Sequence, residues 1–264
     1  MTEEIRKNMY GNAWLHMLWP CPGDARFCYW AYVPETYAEE TDPHYQLLVL
    51  IHGTGCATEY NVSAARKWAD ANHVAILAPL FPGGMAGKDD LNSYKLVSAG
   101  GIRYDEILLS EIEDMKNRYP GVETEPFFLF GHSAGGQFVE RFTMAHPDKV
   151  KAVAIGAPGN PTYIDFAEDY FWGVRDFKKY FEREFDLAVF REVPMLFVIG
   201  EKDTKFIGNS PYGSNRMERI HCLQKNFLEN GVKSVELEVI PDIAHIDGAK
   251  KRIMAATRFF TRFL

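Results

Sequence analysis

Apolar residues along the chain fall in short runs, each closed by turn residues. They are FCYWAYV (27–33), QLLVLIH (46–52), VAILAPL (74–80), FFLFGH (127–132), VKAVAIGA (150–157), PMLFVIG (194–200) and VELEVI (235–240). Most are continuous rather than alternating, the pattern of strands buried on both faces. Between them the period lengthens to that of helices: AARKWADAN (64–72), GIRYDEILLSEIEDMKNRY (101–119), AGGQFVERFTMAH (134–146), SNRMERIHCLQKNFLENG (214–231) and AKKRIMAATRFFTRFL (249–264). The clearest is the second, where Ile107, Leu108, Glu111, Ile112 and Met115 recur at spacings of three and four. Strands alternating with helices predict an α/β fold, with a mostly parallel central sheet flanked by helices. With no internal repeat and no low-complexity linker, residues 1–264 read as one domain.

One stretch breaks this rhythm. Residues 158–193 carry no simple helical period, and ten of the 28 residues from Tyr163 to Phe190 are aromatic against 14% for the chain. An insertion of this length is predicted to be a small aromatic-rich helical lid over a binding site, with Phe166, Phe171 and Trp172 facing the substrate. Two ordinary amphipathic helices packed on the body are the competing expectation.

Composition narrows the partners. The net charge of −7 argues against a nucleic-acid surface, which needs clustered Lys and Arg. No apolar run reaches the roughly 18 residues of a membrane span. The opening MTEEIRKNMYGN is charged and lacks the apolar centre of a secretion signal. Cys21, Cys28, Cys56 and Cys222 show no CxxC spacing and read as reduced thiols, so a cytoplasmic location is expected. The glycine-rich FPGGMAGKDD (81–90) lacks the GK[ST] ending of a phosphate loop, and no His, Cys and Asp cluster has metal-ligand spacing. Neither cofactor nor metal is expected. Arg103, Tyr104 and Asp105, at the head of a long helix, read as structural. Oligomeric state is left open.

The candidate chemistry centres on GHSAG, between the strand FFLFGH and the helix AGGQFVERF. A strand-to-helix turn puts Ser133 at the carboxyl edge of the sheet, where open α/β sheets place their ligands. The flanking glycines let neighbouring backbone approach. A serine hydroxyl needs a base, and the base an orienting acid. Of eight histidines, His245 alone follows the last strand and precedes the last helix. His52 ends a strand inside a glycine loop, and His132, next to the serine, is expected to point away from it. Asp203, three residues past PMLFVIG, is the expected acid, with Glu201 the nearer rival. Asp242 and Asp247 lie too close to His245 in sequence to reach round its ring. Cys56 is a nucleophile only if some base reaches it.

Taken together these segments resemble the α/β-hydrolase fold enzymes over nearly the full length of the chain. GHSAG resembles the family's nucleophile motif, GEKD (200–203) its acid turn, and the order Ser133, Asp203, His245 its triad order. HGTG (52–55) resembles its oxyanion loop, which implies that the backbone N–H groups of Thr54 and Ala134 form the oxyanion hole. The HGTG form, in place of three glycines, points towards compact relatives with short lids. The resemblance implies a cofactor-independent serine hydrolase whose partner is a small-molecule ester or lactone. Amide, thioester and carbon–carbon bond cleavage use the same constellation. A ligand-binding protein on the same fold and an acyltransferase using the same triad are the alternatives.

Overall fold

The apolar runs become the strands of one eight-stranded sheet in a computed structural model, which describes residues 11–264. The charged opening segment read above as lacking a secretion signal lies, but for Gly11 and Asn12, outside the described residues. The strands are β1 (His16–Pro20), β2 (Cys28–Tyr32), β3 (Tyr45–Ile51), β4 (Val74–Leu80), β7 (Val122–His132), β8 (Val150–Gly156), β9 (Met195–Gly200) and β10 (Val235–Ile240). A two-residue pair, β5 (Ser98–Ala99) and β6 (Ile102–Arg103), stands apart from the sheet. The order across the sheet is β1-β2-β4-β3-β7-β8-β9-β10, with β1–β2 and β2–β4 antiparallel and every other pairing parallel.

Alternate residues of the central strands feed two separate cores, as the strand period of two requires. Leu47, Val49, Ile51 and Leu129 face one side, with helices α2 (Tyr104–Arg118), α3 (Ala134–Ala145) and α6 (Arg216–Glu229). Leu48, Leu50, Phe128 and Phe130 face the other, with α1 (Thr58–Ala71) and α7 (Ala249–Phe260). There the rings of Phe128 and Phe260 stack at 5.0 Å. The carboxyl ends of the parallel strands β3 and β7 lead directly into the HGTG and GHSAG segments.

Several boundaries differ from those read in the sequence, each for a physical reason. Strand β1 carries an exposed pattern and ends in proline, so it gives no apolar run. Strand β7 begins at Val122, five residues early. Its polar start contains Pro126, which a strand centre excludes, and the pairing on both sides shifts register nearby. Residues 101–103 leave the expected helix, Gly101 for a turn and Ile102–Arg103 for β6, and α1 starts at Thr58 rather than at 64.

The insertion forms only two short helices, α4 (Phe177–Phe181) and α5 (Leu187–Phe190). Tyr163, Phe177, Phe181 and Phe190 are buried in the first core, and Phe190 meets Phe227 of α6 edge-on at 5.3 Å. Much of its aromatic excess is therefore spent on anchoring the segment to the body.

Candidate active site

Strand β7 ends at His132 and α3 begins at Ala134, so Ser133 alone makes the turn between them. Its backbone sits at φ 61° and ψ −115°, a region that costs a residue with a Cβ on the order of 1–3 kcal/mol. Two hydrogen bonds hold it there: the Ser133 amide donates to the Gly156 carbonyl at 2.8 Å, and its carbonyl accepts from the Gln137 amide at 3.1 Å. The turn is possible only because its neighbours lack side chains. A Cβ on Gly131 would lie 2.3 Å from the Gly135 carbonyl oxygen, and one on Gly135 2.6 Å from those of Ile51 and His52. GxSxG is thus a steric requirement of this turn.

The loop after β10 lays His245 over the serine. Its Nε2 is 2.9 Å from Ser133 Oγ and its Nδ1 is 2.6 Å from Asp203 Oδ2. A carboxylate only accepts, so the proton sits on Nδ1, and Nε2 accepts from the serine hydroxyl. Asp203 is 1% exposed, and Arg216 Nη1 donates to its other oxygen at 3.4 Å. The rival carboxylates are engaged elsewhere. Glu201 accepts the Asp242 amide at 3.1 Å, Asp242 pairs with Lys202 at 2.9 Å, and Asp247 faces solvent.

The HGTG loop is braced from below by its own histidine. His52 is fully buried, and its Nε2 accepts the Phe81 amide at 2.9 Å, which leaves Nδ1–H to donate to the Gly53 carbonyl at 2.7 Å. Tyr94 Oη donates to the His52 carbonyl at 2.7 Å. Burial lowers the His52 pKa, which keeps the ring neutral as this arrangement needs. A Cβ on Gly53 would stand 3.9 Å from Ser133 Cβ, so the loop runs directly alongside the serine. The Thr54 hydroxyl accepts from Asn92 Nδ2 at 2.7 Å, and Ala134 occupies the first position of α3. Gly53, Thr54, Ser133, His245, Ile246 and Ala249 line one cavity of about 450 Å³. Cys56 has no base against it among the described residues: its Sγ contacts the Thr54 and Phe81 carbonyls at 3.8 Å, and burial raises its pKa.

His132 does not point away from the site. Its ring packs on that of His245 with centroids 4.7 Å apart, and its Nε2–H donates to the His245 carbonyl at 3.0 Å. Burial, then the charge of Arg252, hold its pKa well below the usual histidine range, so it stays neutral. The strand period carried the signal: Phe128, Phe130 and His132 share the face that α7 covers, and the His245 loop leads into α7.

The three aromatics expected to contact substrate lie in the insertion and are not among the residues lining this cavity. Phe166 is 57% exposed beside Phe185. Phe171 lies under the Arg141 guanidinium at 5.2 Å, and Trp172 packs against Tyr212. Outside this cavity, Asp105, Glu106 and His146 converge within 4.8 Å. Arg103 already bonds both Asp105 oxygens, and His146 bonds Asp105 at 2.8 Å, so this is a buried ion-pair network.

No protein-family model matches the chain, and no curated protein matches its sequence. Solved structures do resemble it. A poly(aspartic acid) hydrolase from Sphingomonas sp. KT-1 superposes with a TM-score of 0.71 at 22% identity, over 88% of this chain and 92% of that one. A poly(3-hydroxybutyrate) depolymerase from Bordetella parapertussis gives 0.68 at 21%, over 89% and 84%. A siderophore hydrolase from Aspergillus nidulans gives 0.60 at 14%, over 96% of each chain. The chain has the α/β-hydrolase fold. No helix among the described residues is long and apolar enough to cross a membrane.

Proposed function

We propose that this protein is a cofactor-independent serine hydrolase that cleaves a carboxylic ester or lactone through an acyl-enzyme. The observation that carries the reading is the double engagement of His245, 2.9 Å from Ser133 Oγ and 2.6 Å from Asp203 Oδ2. Ser133 Oγ attacks the carbonyl carbon as His245 Nε2 takes its proton. Asp203 stabilises the imidazolium so formed and keeps the ring in the productive tautomer. The carbonyl oxygen, now negative, is held by the amides of Thr54 and Ala134, the second aided by the amino end of α3. Collapse expels the alcohol, which leaves with the proton from His245. Water, deprotonated by the same nitrogen, then attacks the acyl-serine, and the free acid departs as Ser133 recovers its proton.

The names of the structural neighbours, which include hydrolases, a depolymerase and a ferulic acid esterase, support this chemistry. The test is a panel of p-nitrophenyl esters of rising chain length, assayed with the wild-type protein and with Ser133→Ala. Release of p-nitrophenol by the wild type, reduced about 10⁴-fold or more in kcat by the substitution, is the expected result. Equal rates from the two proteins would remove the role of Ser133.

A further inference from the structure

Arg252 is 2% exposed, yet it has almost nothing to bond to. Among the described residues its Nη1 reaches only the Ala244 carbonyl, at a long 3.4 Å, and its buried Nε has no acceptor. Among the described residues it makes no ion pair: Asp203 is taken by His245 and Arg216, and Asp247 lies in solvent. Burial lowers its pKa, and the distant attraction of Asp203 and Asp247 does not reverse that effect. A guanidinium stays charged even so, and a buried, unpaired cation is unfavourable until an anion meets it.

What makes this informative is the location. Arg252 lines the same cavity as Ser133 and His245, and among the described residues no acidic side chain lines that cavity with it. Two helices also begin there, α1 behind its cap Ala57 and α7 at Ala249, and both of those residues line the cavity. Helix amino ends favour negative charge, and here two of them flank a fork of donors. Apolar walls from Ile246, Ile253 and Phe130 surround this positive region.

We infer that the cavity beside Ser133 takes a carboxylate-bearing ester, whose carboxylate is bound by Arg252. The inference rests on the hydrolase reading above, and it names the substrate class of that site. An uncharged ester of the same length leaves the guanidinium unpaired, so the site discriminates against it. Arg252 acts by binding substrate and takes no part in the proton transfers.

The test compares mono-p-nitrophenyl adipate with p-nitrophenyl hexanoate, equal in acyl carbon count and differing in the terminal carboxylate. The wild type is expected to favour the adipate ester at least tenfold in kcat/KM, and Arg252→Gln to lower that ratio at least tenfold. Arg252→Lys, which keeps the charge, should retain a preference for the adipate ester, and it remains informative if the glutamine variant fails to fold. Calorimetry on the Ser133→Ala protein supplies a readout independent of turnover: adipate should bind and neutral adipamide should not, with adipate affinity falling as salt is raised. Failure of the hydrolase reading would appear as no ester turnover with adipate still bound. The inference is overturned if the two esters are cleaved alike, if Arg252→Gln slows both equally by disturbing the Ala244–His245 loop, or if adipate fails to bind.

Discussion

Glu140, on the helix behind the serine, offers a quantitative test of the buried electrostatics. It is fully buried, its Oε1 accepts the Thr162 amide at 2.8 Å, and its Oε2 has no partner among the described residues. Burial pushes its pKa up to about 8 from an ordinary value of 4.5. The folded protein therefore keeps this carboxyl protonated between those values, while the unfolded chain ionises it. Folding takes up a proton there, so stability falls as pH rises from 4.5 to 8 and levels off above. At 1.36 kcal/mol per pH unit the whole span amounts to about 5 kcal/mol. Glu140→Gln keeps the acceptor for Thr162 and exchanges one unpartnered donor, the acid O–H, for an amide, so its main effect is to abolish the titration. Urea unfolding followed by tryptophan fluorescence, at intervals from pH 5 to pH 8, should show the variant gaining stability over the wild type as pH rises. The gain should reach several kcal/mol at pH 8 and nearly vanish at pH 5. Parallel curves, or a gain that shrinks with rising pH, would refute the assignment of a buried neutral carboxyl.

Three further substitutions probe the site itself. Asp203→Asn should leave the melting temperature intact and cost about 10⁴-fold in kcat, because an amide does not hold Nδ1–H as a carboxylate does, whereas Glu201→Gln should change kcat by less than about threefold; the reverse would move the acid to Glu201. Gly135→Ala places a Cβ 2.6 Å from two carbonyl oxygens and should lower the melting temperature by roughly 3–10 °C along with activity, as a thermal scan would show. His132→Phe keeps a ring packed against His245 but removes the bond to its carbonyl; kcat for a neutral ester should fall about tenfold with KM little changed, and an unaltered kcat would show that the bond does not position His245.

The sheet was legible because its inner strands are buried on both sides, which leaves apolar runs that no surface element imitates. The elements that escaped notice are those whose burial is partial: β1, the outermost strand of the sheet, and the polar start of β7 around Pro126. For the site, the GHSAG turn and positions just past strand ends led to Ser133, Asp203 and His245, since each follows a strand at its carboxyl end. Arg252 was hidden by its neighbours: KKR reads as a solvated run, although Arg252 shares the buried helical stripe with Ile253, Ala256 and Phe259. Aromatic enrichment in the insertion admits two readings. The composition that marks a binding surface also marks a segment that must anchor itself with little regular structure, and Tyr163, Phe177 and Phe181 serve the second purpose. From sequence alone the two uses look the same.

The central claim is that Ser133 is the nucleophile, and covalent labelling addresses it most directly. The folded protein is treated with a fluorophosphonate, digested, and the adduct located by tandem mass spectrometry, with His245→Ala treated in parallel. One phosphonyl group on Ser133 in the wild type, accompanied by loss of ester hydrolysis and strongly slowed labelling in His245→Ala, is the expected result. Labelling of a different residue, or full hydrolytic activity in protein whose Ser133 is completely modified, would contradict it.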